Sequence, residues 1–502
     1  MNVATAYRDR LLPRLTMRRA LVLYGVALAV IAFAVGNALW PVSHVTLLGS
    51  RLRGLTTAID VIDHGGPPLL GSTQPYSESW RTTPAQSYFS AASTDDPGIY
   101  LYLPVAGRIL GVDDPLLLLK WFALVSFALL VCVYPLLFYE LFGSLVVAVV
   151  SPVLPTAFLI FGNADIYWIA AWCALACLPV LMLLTSRRWS GRSVAACAGV
   201  AIVASYASSV RSEAGLGVAI AAVALVLVRE RRWRRRLAVG ALVAAAYLTV
   251  RPALIKGVVT YRDHAIASYV HVHPAWSSVS GSGHPFWHSA YIGLGYLPNR
   301  WGIAWKDASA EAAVRRVDPK APYLSARYSS ILEHRYFHIL REDPGFVLRT
   351  YAEKAAIEAN QALRRFLPGL VLLPALLLFG PRRRLLAGWS LLALPTLVIQ
   401  FVPPVLVMPG IYGVGFLSAV GLLALLPVCE LTALIERTFA GRRRGEAAVP
   451  ERFTIRDLLL EPRAWVAAGT AVLLVVAAVA LHSKQLVLRP GSALDRSPAA
   501  HA

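Results

Sequence analysis

The sequence predicts an all-α polytopic membrane protein with about eleven transmembrane helices and two long extracytoplasmic loops that carry interfacial helices. Three observations lead there. Over 502 residues the chain is 57% hydrophobic and only 15% charged, too little polar surface to cover a soluble protein of that length. Apolar runs near 20 residues, the length that crosses a hydrocarbon core of ~30 Å, recur along it. The arginines behind the net charge of +20 are gathered in short blocks between those runs. That is the bias of cytoplasmic loops rather than of a nucleic-acid-binding face.

The N-terminus carries Arg8, Arg10, Arg14, Arg18 and Arg19 ahead of an apolar run over 20–40. The run is too long for a signal-peptide core and no small-x-small cleavage site follows, so it is predicted as an uncleaved first helix with residues 1–19 in the cytoplasm. Further spans are expected near 116–139, 143–162, 167–185, 193–210, 214–228 and 237–255, completing an N-terminal module of seven helices over 20–255. Four more near 368–381, 385–402, 404–428 and 464–482 form a C-terminal module over 368–482. Threaded from a cytoplasmic N-terminus, "SRRWSGR" (186–192), "RERRWRRR" (229–236), "PRRR" (381–384) and "GRRRGE" (441–446) all fall on the cytoplasmic side, as the positive-inside rule asks. The chain is accordingly expected in the inner or plasma membrane. All five cysteines lie inside apolar runs, where they act as small buried hydrophobes, and no disulfide framework is predicted. No internal repeat is visible, and the tail 483–502 is expected outside the cell membrane and disordered.

The same threading leaves 41–115 and 256–367 outside. Irregular polar backbone is not tolerated in lipid, and loops of this length are usually functional. In the first loop Leu55, Ala58, Ile59 and Ile62 recur at helical spacing, with Asp60, Asp63 and His64 at other positions, before Gly65-Gly66-Pro67. This predicts a short interfacial helix. A second is expected after "STDDPG", with Pro97 at its first position and Asp96 as its N-cap. Capping uses one acid of the Asp95–Asp96 pair and leaves the other over, whereas Asp113–Asp114 ahead of Pro115 needs no role beyond capping the next span.

An arginine-flanked first helix, a long outer loop with two interfacial helices and acids, about eleven spans and a late polar loop together resemble the GT-C superfamily of membrane glycosyltransferases. The segment "DDPGIYLYLPVAGRILGVDDPLLLLKWFAL" (95–124) is similar in rhythm to their passage from an interfacial helix into the second span. The resemblance implies a polyprenyl-phosphate-linked sugar as donor and an extracytoplasmic glycan, lipid or protein as acceptor. It also implies inversion at the sugar carbon, with an outer-loop carboxylate taking the proton of the acceptor hydroxyl. The candidates for that base are Asp95 and Asp96, then Asp60 and Asp63. Directly after the first helix, where the superfamily commonly places an acid, this chain has His44 and Ser50.

The run 214–228 has 15 residues, about 22 Å of helix, so Arg211 and Glu213 are drawn to the outer edge of the bilayer. The run over 237–250 ends at Arg251, with Lys256 close by. Arginines at such depth call for partners. Two readings stand side by side: guanidinium forks gripping a lipid phosphate, or Arg211 pairing with Glu213 and snorkelling outward. In the second loop "GHPFWHSAYIGLGYLPNRWGIAWKD" (283–307) concentrates aromatics, Trp287 and Tyr296 among them. Their faces suit sugar rings or lipid tails, and equally an interfacial belt. His288 and Arg300 are candidates for touching phosphate or acceptor. Asp343 and Pro344 open a helix that leads into the next span; on it Lys354 and Arg349 either lend charge to the donor or form a solvated face. His271, His273, His284 and His288 have no carboxylate at ligand spacing, and Pro285 interrupts them, so neither metal nor cofactor is expected. Two other classes compete. An O-antigen ligase or polymerase has a short first loop where this one is about 75 residues, and a transporter or flippase carries inverted repeats or matched broken helices.

Overall fold

The computed structural model describes residues 3–39, 49–63, 65–72, 88–90, 97–156, 165–270 and 285–444, with the single positions 42 and 47. Asp95, Asp96, His64, His271, His273, His284, the expected span 464–482 and the tail lie outside these residues. The described chain is helical apart from one antiparallel ribbon, β1 (Leu70–Ser72) and β2 (Tyr88–Ser90), in which Gly71 stands opposite Phe89. It divides into two compact units: Met1–Gly283 with Gly388–Gln400 and Val414–Ala419, and His284–Ala387 with Phe401–Gly413 and Val420–Ala502.

The first unit holds α1 (Val3–Leu39), α2 (Gly49–Asp63), α3 (Ile99–Leu110), α4 (Pro115–Phe142), α5 (Leu145–Val150), α6 (Trp168–Ser186), α7 (Gly191–Val210), α8 (Leu216–Arg229) and α9 (Trp233–Val270). The second holds α10 (Phe286–Gly293), α11 (Asp307–Arg315), α12 (Ala326–Glu342) and α13 (Pro344–Phe379). Helices α14 (Arg383–Leu406) and α15 (Val414–Arg444) contribute stretches to both. Among the described residues eight helices are long and apolar enough to cross a membrane: α1, α4, α6, α7, α9, α13, α14 and α15. Two more of the eleven expected runs, 143–162 and 214–228, are shorter helices, α5 and α8.

On one face of the first unit Glu140, near the end of α4, binds Arg18 at 2.7 Å and Arg187 at 2.6 Å. Arg229 donates to the carbonyl of Arg187 at 2.7 Å, and Glu230 takes Arg235 at 3.2 Å. Arg18 of α1, the Glu140 end of α4 and the basic ends of α6, α8 and α9 therefore share a single face. The opposite face is marked by Lys120 at the start of α4, which donates to the carbonyl of Asn37 at the end of α1 (2.7 Å), and by the α7–α8 connection. Helix α1 leans on α4 at Gly25, where a Cβ would strike the carbonyl of Cys132. Its outer side, Leu23, Val30 and Ile31, stays exposed, the surface a lipid-facing helix presents. The buried cysteines are free thiols.

Local signals account for the helix ends. Asp114 caps α4, accepting from Leu116 and Leu117 with Pro115 in the first turn, and Asp343 caps α13, accepting from Phe346 at 3.1 Å. Helix α3 begins later than Pro97. Its N-cap position is Gly98, whose N–H is held by the carbonyl of Ser209 at 2.7 Å; docking on the end of α7 sets that start, where a side-chain cap was expected. Much of the long second loop is also helix. α9 has 38 residues, about 57 Å and nearly twice a ~30 Å core. α13 runs unbroken through Pro368 and Pro374 from a polar first half into an apolar second half. Tyr291, Leu294, Val314, Tyr328, Leu332, Phe346 and Val347 form the core that packs α10 to α13 into a helical subdomain.

Candidate functional site

The face of the first unit opposite the arginine blocks carries part of the expected site. α8 has 14 residues, about 21 Å of helix, so the residues ahead of it sit below the level a full span reaches. Here Arg211 is buried and donates from Nε to Glu213 Oε1 at 2.7 Å, while its guanidinium lies 4.7 Å from the centre of the Tyr167 ring. Arg51, on α2, lies 5.6 Å from the same ring. Two cations thus share one aromatic face system, an arrangement that raises local positive potential. The carbonyls of Glu213 and Ala214 are satisfied by the side-chain amide of Gln400 (2.8 and 3.4 Å), and the N–H of Gly215 by Ser208 Oγ (3.1 Å). These contacts meet polar backbone groups of the irregular turn from within the protein, as lipid requires.

Arg251 belongs to the same neighbourhood. Ser205 inserts its hydroxyl into α9, donating to the carbonyl of Tyr247 at 2.8 Å and accepting the N–H of Arg251 at 3.0 Å. It bridges the N–H and the carbonyl one helical turn apart immediately before Pro252, which has no N–H of its own. The Arg251 charge reaches Tyr102, whose hydroxyl bonds Ser209 at 2.8 Å; burial raises that phenol above its usual range, while Ser209 and Arg251 oppose the rise. Helix α2 supplies the carboxylates. Leu55, Ala58, Ile59 and Val61 bury one side of it, Asp60 is half-buried, and Asp63 at its end lies 3.9 Å from Arg108 of α3. Arg262, buried on the extension of α9, reaches the carbonyl of Leu69 at 3.5 Å and ties the strap after α2 to that helix. Lys256 is exposed. Among these expected residues Arg211, Glu213, Asp60, Asp63 and Arg251 therefore lie in one unit on one face. Arg51 and Tyr167 were not legible as partners, because neither stands in a motif and only the fold stacks them.

The second unit holds the remaining candidates in a different arrangement. His288 is buried between the hydroxyl of Tyr328 (Nδ1, 2.8 Å) and Asp307 (Nε2, 3.1 Å) and serves as a pin between α10, α11 and α12. Trp287 packs on Tyr336 and Phe337, with ring centres 5.5 and 5.2 Å away. Lys354 is fully buried, and its Nζ donates to the carbonyls of Gly293, Leu406 and Val407 at 2.5, 3.2 and 3.0 Å. An ammonium has three protons; all are spent on carbonyls, and a cation at the C-terminal end of α14 also opposes the helix dipole. One turn on, buried Glu358 accepts from the N–H of Gly410, and its Oε2 has no hydrogen-bond partner. This Lys354–Glu358 clasp holds both ends of the turn between α14 and α15. Tyr296 lies against it, 5.7 Å from the Lys354 ammonium. Arg300 pairs with Asp343 at 3.4 Å and lies 5.2 Å from the Trp301 ring.

Among the described residues no group of three or more His, Cys, Asp or Glu side chains is placed to hold a metal ion. The first-unit face brings the guanidiniums of Arg51 and Arg211 to one ring and carries the carboxylates of α2 in the same unit. Compared with protein-family models, with curated proteins and with solved structures, the chain has no match.

Proposed function

We propose that this helical membrane protein is a glycosyltransferase of the GT-C type, moving a sugar from a polyprenyl-phosphate donor to an extracytoplasmic glycan, lipid or protein. The single observation that carries the reading is the arginine pair on Tyr167. Arg211 and Arg51 meet at the level where α8 stops short of a full span, the depth of a lipid phosphate. A carrier phosphate entering from the lipid meets a guanidinium fork there without leaving the bilayer edge. The clustering of the arginine blocks on the other face supports a cytoplasmic N-terminus, with this face outside.

In the reaction so assigned, an α2 carboxylate takes the proton of the acceptor hydroxyl as its oxygen attacks the anomeric carbon. The bond from that carbon to the phosphate oxygen breaks, and polyprenyl phosphate leaves with its added charge held by the arginines. Displacement from the opposite side inverts the sugar centre. Asp60, half-buried on α2, is the described residue taken as base, and Asp63 lies 3.9 Å from Arg108; Asp95 and Asp96 remain candidates outside the described residues. The test is transfer of radiolabelled sugar from polyprenyl-phosphate donors in membranes. Asp60→Asn, Asp95→Asn and Asp96→Asn are compared with wild type at equal insertion. One of the three should lose at least about 100-fold, the usual worth of a general base. Full activity in all three removes the proposed base, and substrate flux through proteoliposomes without transfer would replace the reading by a transporter.

A further inference from the structure

The second unit contains a cleft that the donor-side reading leaves without a role. It encloses about 540 Å³ and is lined by the loop Pro298–Trp301 and the first turns of α13, chiefly Arg300, Trp301, Gly345 and Arg349. The loop is rigid by construction. Asn299 donates to the carbonyls of Leu297 and Ile303, each at 2.9 Å, and accepts the N–H groups of Trp301 and Ile303, each at 3.1 Å. Gly302 closes the loop at φ +65°, a conformation side-chain-bearing residues avoid. Fixed this way, Trp301 and Arg300 are held at the cleft wall at no further cost in order.

Its charge is unbalanced. Asp343 is the one carboxylate among the lining residues, and it already receives the N–H of Phe346 at 3.1 Å and the Arg300 guanidinium at 3.4 Å. Arg349 is exposed and has no ion pair among the described residues. The amide of Gly345 belongs to the first turn of α13, where backbone donors have no helical acceptor. Two guanidiniums, a free amide and an indole around a space of sugar size fit a saccharide that carries a negative group, with the fork on the anion and the ring face on the sugar. Along α13, Arg349 and Gly345 lie five and nine residues beyond Lys354 on the side away from the apolar half, about 8 and 13 Å farther out. The Lys354 ammonium itself closes the end of α14.

We infer that this cleft binds an acidic saccharide, one bearing phosphate or carboxylate, as the recognition site for the acceptor glycan. Its role as an acceptor site rests on the transferase reading; binding itself does not. The test is calorimetric titration of the full chain in nanodiscs, without donor, against a uronate trisaccharide, glucose 1-phosphate, a neutral trisaccharide, inorganic phosphate and vesicles containing polyprenyl phosphate. The uronate trisaccharide or the sugar phosphate is expected to bind at least about 10-fold more tightly than the neutral sugar. Arg349→Gln, an exposed change that leaves the unfolding midpoint in place, should weaken it about 10-fold, and Trp301→Phe should weaken it as well. Equal binding of neutral and acidic sugars, an unchanged Arg349→Gln, or inorganic phosphate or polyprenyl phosphate binding as tightly as the saccharides overturns the assignment. Sugar binding with no transfer from any donor sinks the transferase reading alone, whereas transfer without sugar binding at the cleft sinks this one alone.

Discussion

Lys354 shows how burial changes what a residue does. In the sequence it is a cation on an amphipathic helix, available to a phosphate; in the fold three carbonyls consume its protons. Removing the ammonium strands those acceptors in a buried place. Lys354→Met is therefore expected to lower stability by about 3 kcal/mol, the scale of losing one side of a buried charged contact. It should be read as a lower thermal midpoint in detergent, and an unchanged midpoint would show that the clasp carries no weight. His288 is a second case: with Tyr328 at 2.8 Å and Asp307 at 3.1 Å, it joins three helices. Tyr328→Phe should cost about 1 kcal/mol, one hydrogen bond's net worth, by the same measurement. Arg211 moves the other way. Its pairing with Glu213 is present at 2.7 Å, and the added Tyr167 and Arg51 turn a paired charge into part of a cationic surface.

At the level of elements, amphipathic spacing identified α2 correctly, and Asp-Pro pairs located the starts of α4 and α13. These signals act within one turn, so they survive in sequence. The start of α3 and the length of α9 depend instead on distant partners: Ser209 fixes the first, and the Leu69 strap meets the second through Arg262. Close helix contact is equally invisible. Gly25 looks like any small residue in an apolar run, yet a Cβ there collides with the Cys132 carbonyl. Gly25→Val should force α1 off α4, at a cost of about 1–3 kcal/mol for overpacking. The thermal midpoint should fall, and a cysteine crosslink between Asn37 and Trp121 positions, joined at 3.1 Å in the native protein, should form more slowly.

For the whole molecule, charge placement is the strongest determinant. Glu140 and Glu230 gather arginines from several helices on one face, and Glu430, buried in the second unit, binds Arg382 at 3.0 Å and Arg437 at 3.5 Å. With a cytoplasmic N-terminus, a cysteine at exposed Arg188 in a cysteine-free background should be protected from an impermeant thiol reagent in intact cells. One at exposed Lys256 should be labelled. The reverse pattern would invert the topology and put the Tyr167 arginines on the wrong leaflet for an extracytoplasmic acceptor.

The sequence by itself determined the membrane class, eight of the runs that become long apolar helices and the grouping of basic ends, because hydropathy and charge are summed properties of local composition. It also marked the polar segments that hold Asp60, Arg211 and Arg300. Only the tertiary structure decided which of those charges meet. It stacked Arg51 and Arg211 on Tyr167, withdrew Lys354 into carbonyls and left Arg349 facing a cleft. Each of these depends on contacts between residues far apart in the chain, and a linear pattern does not encode such distances.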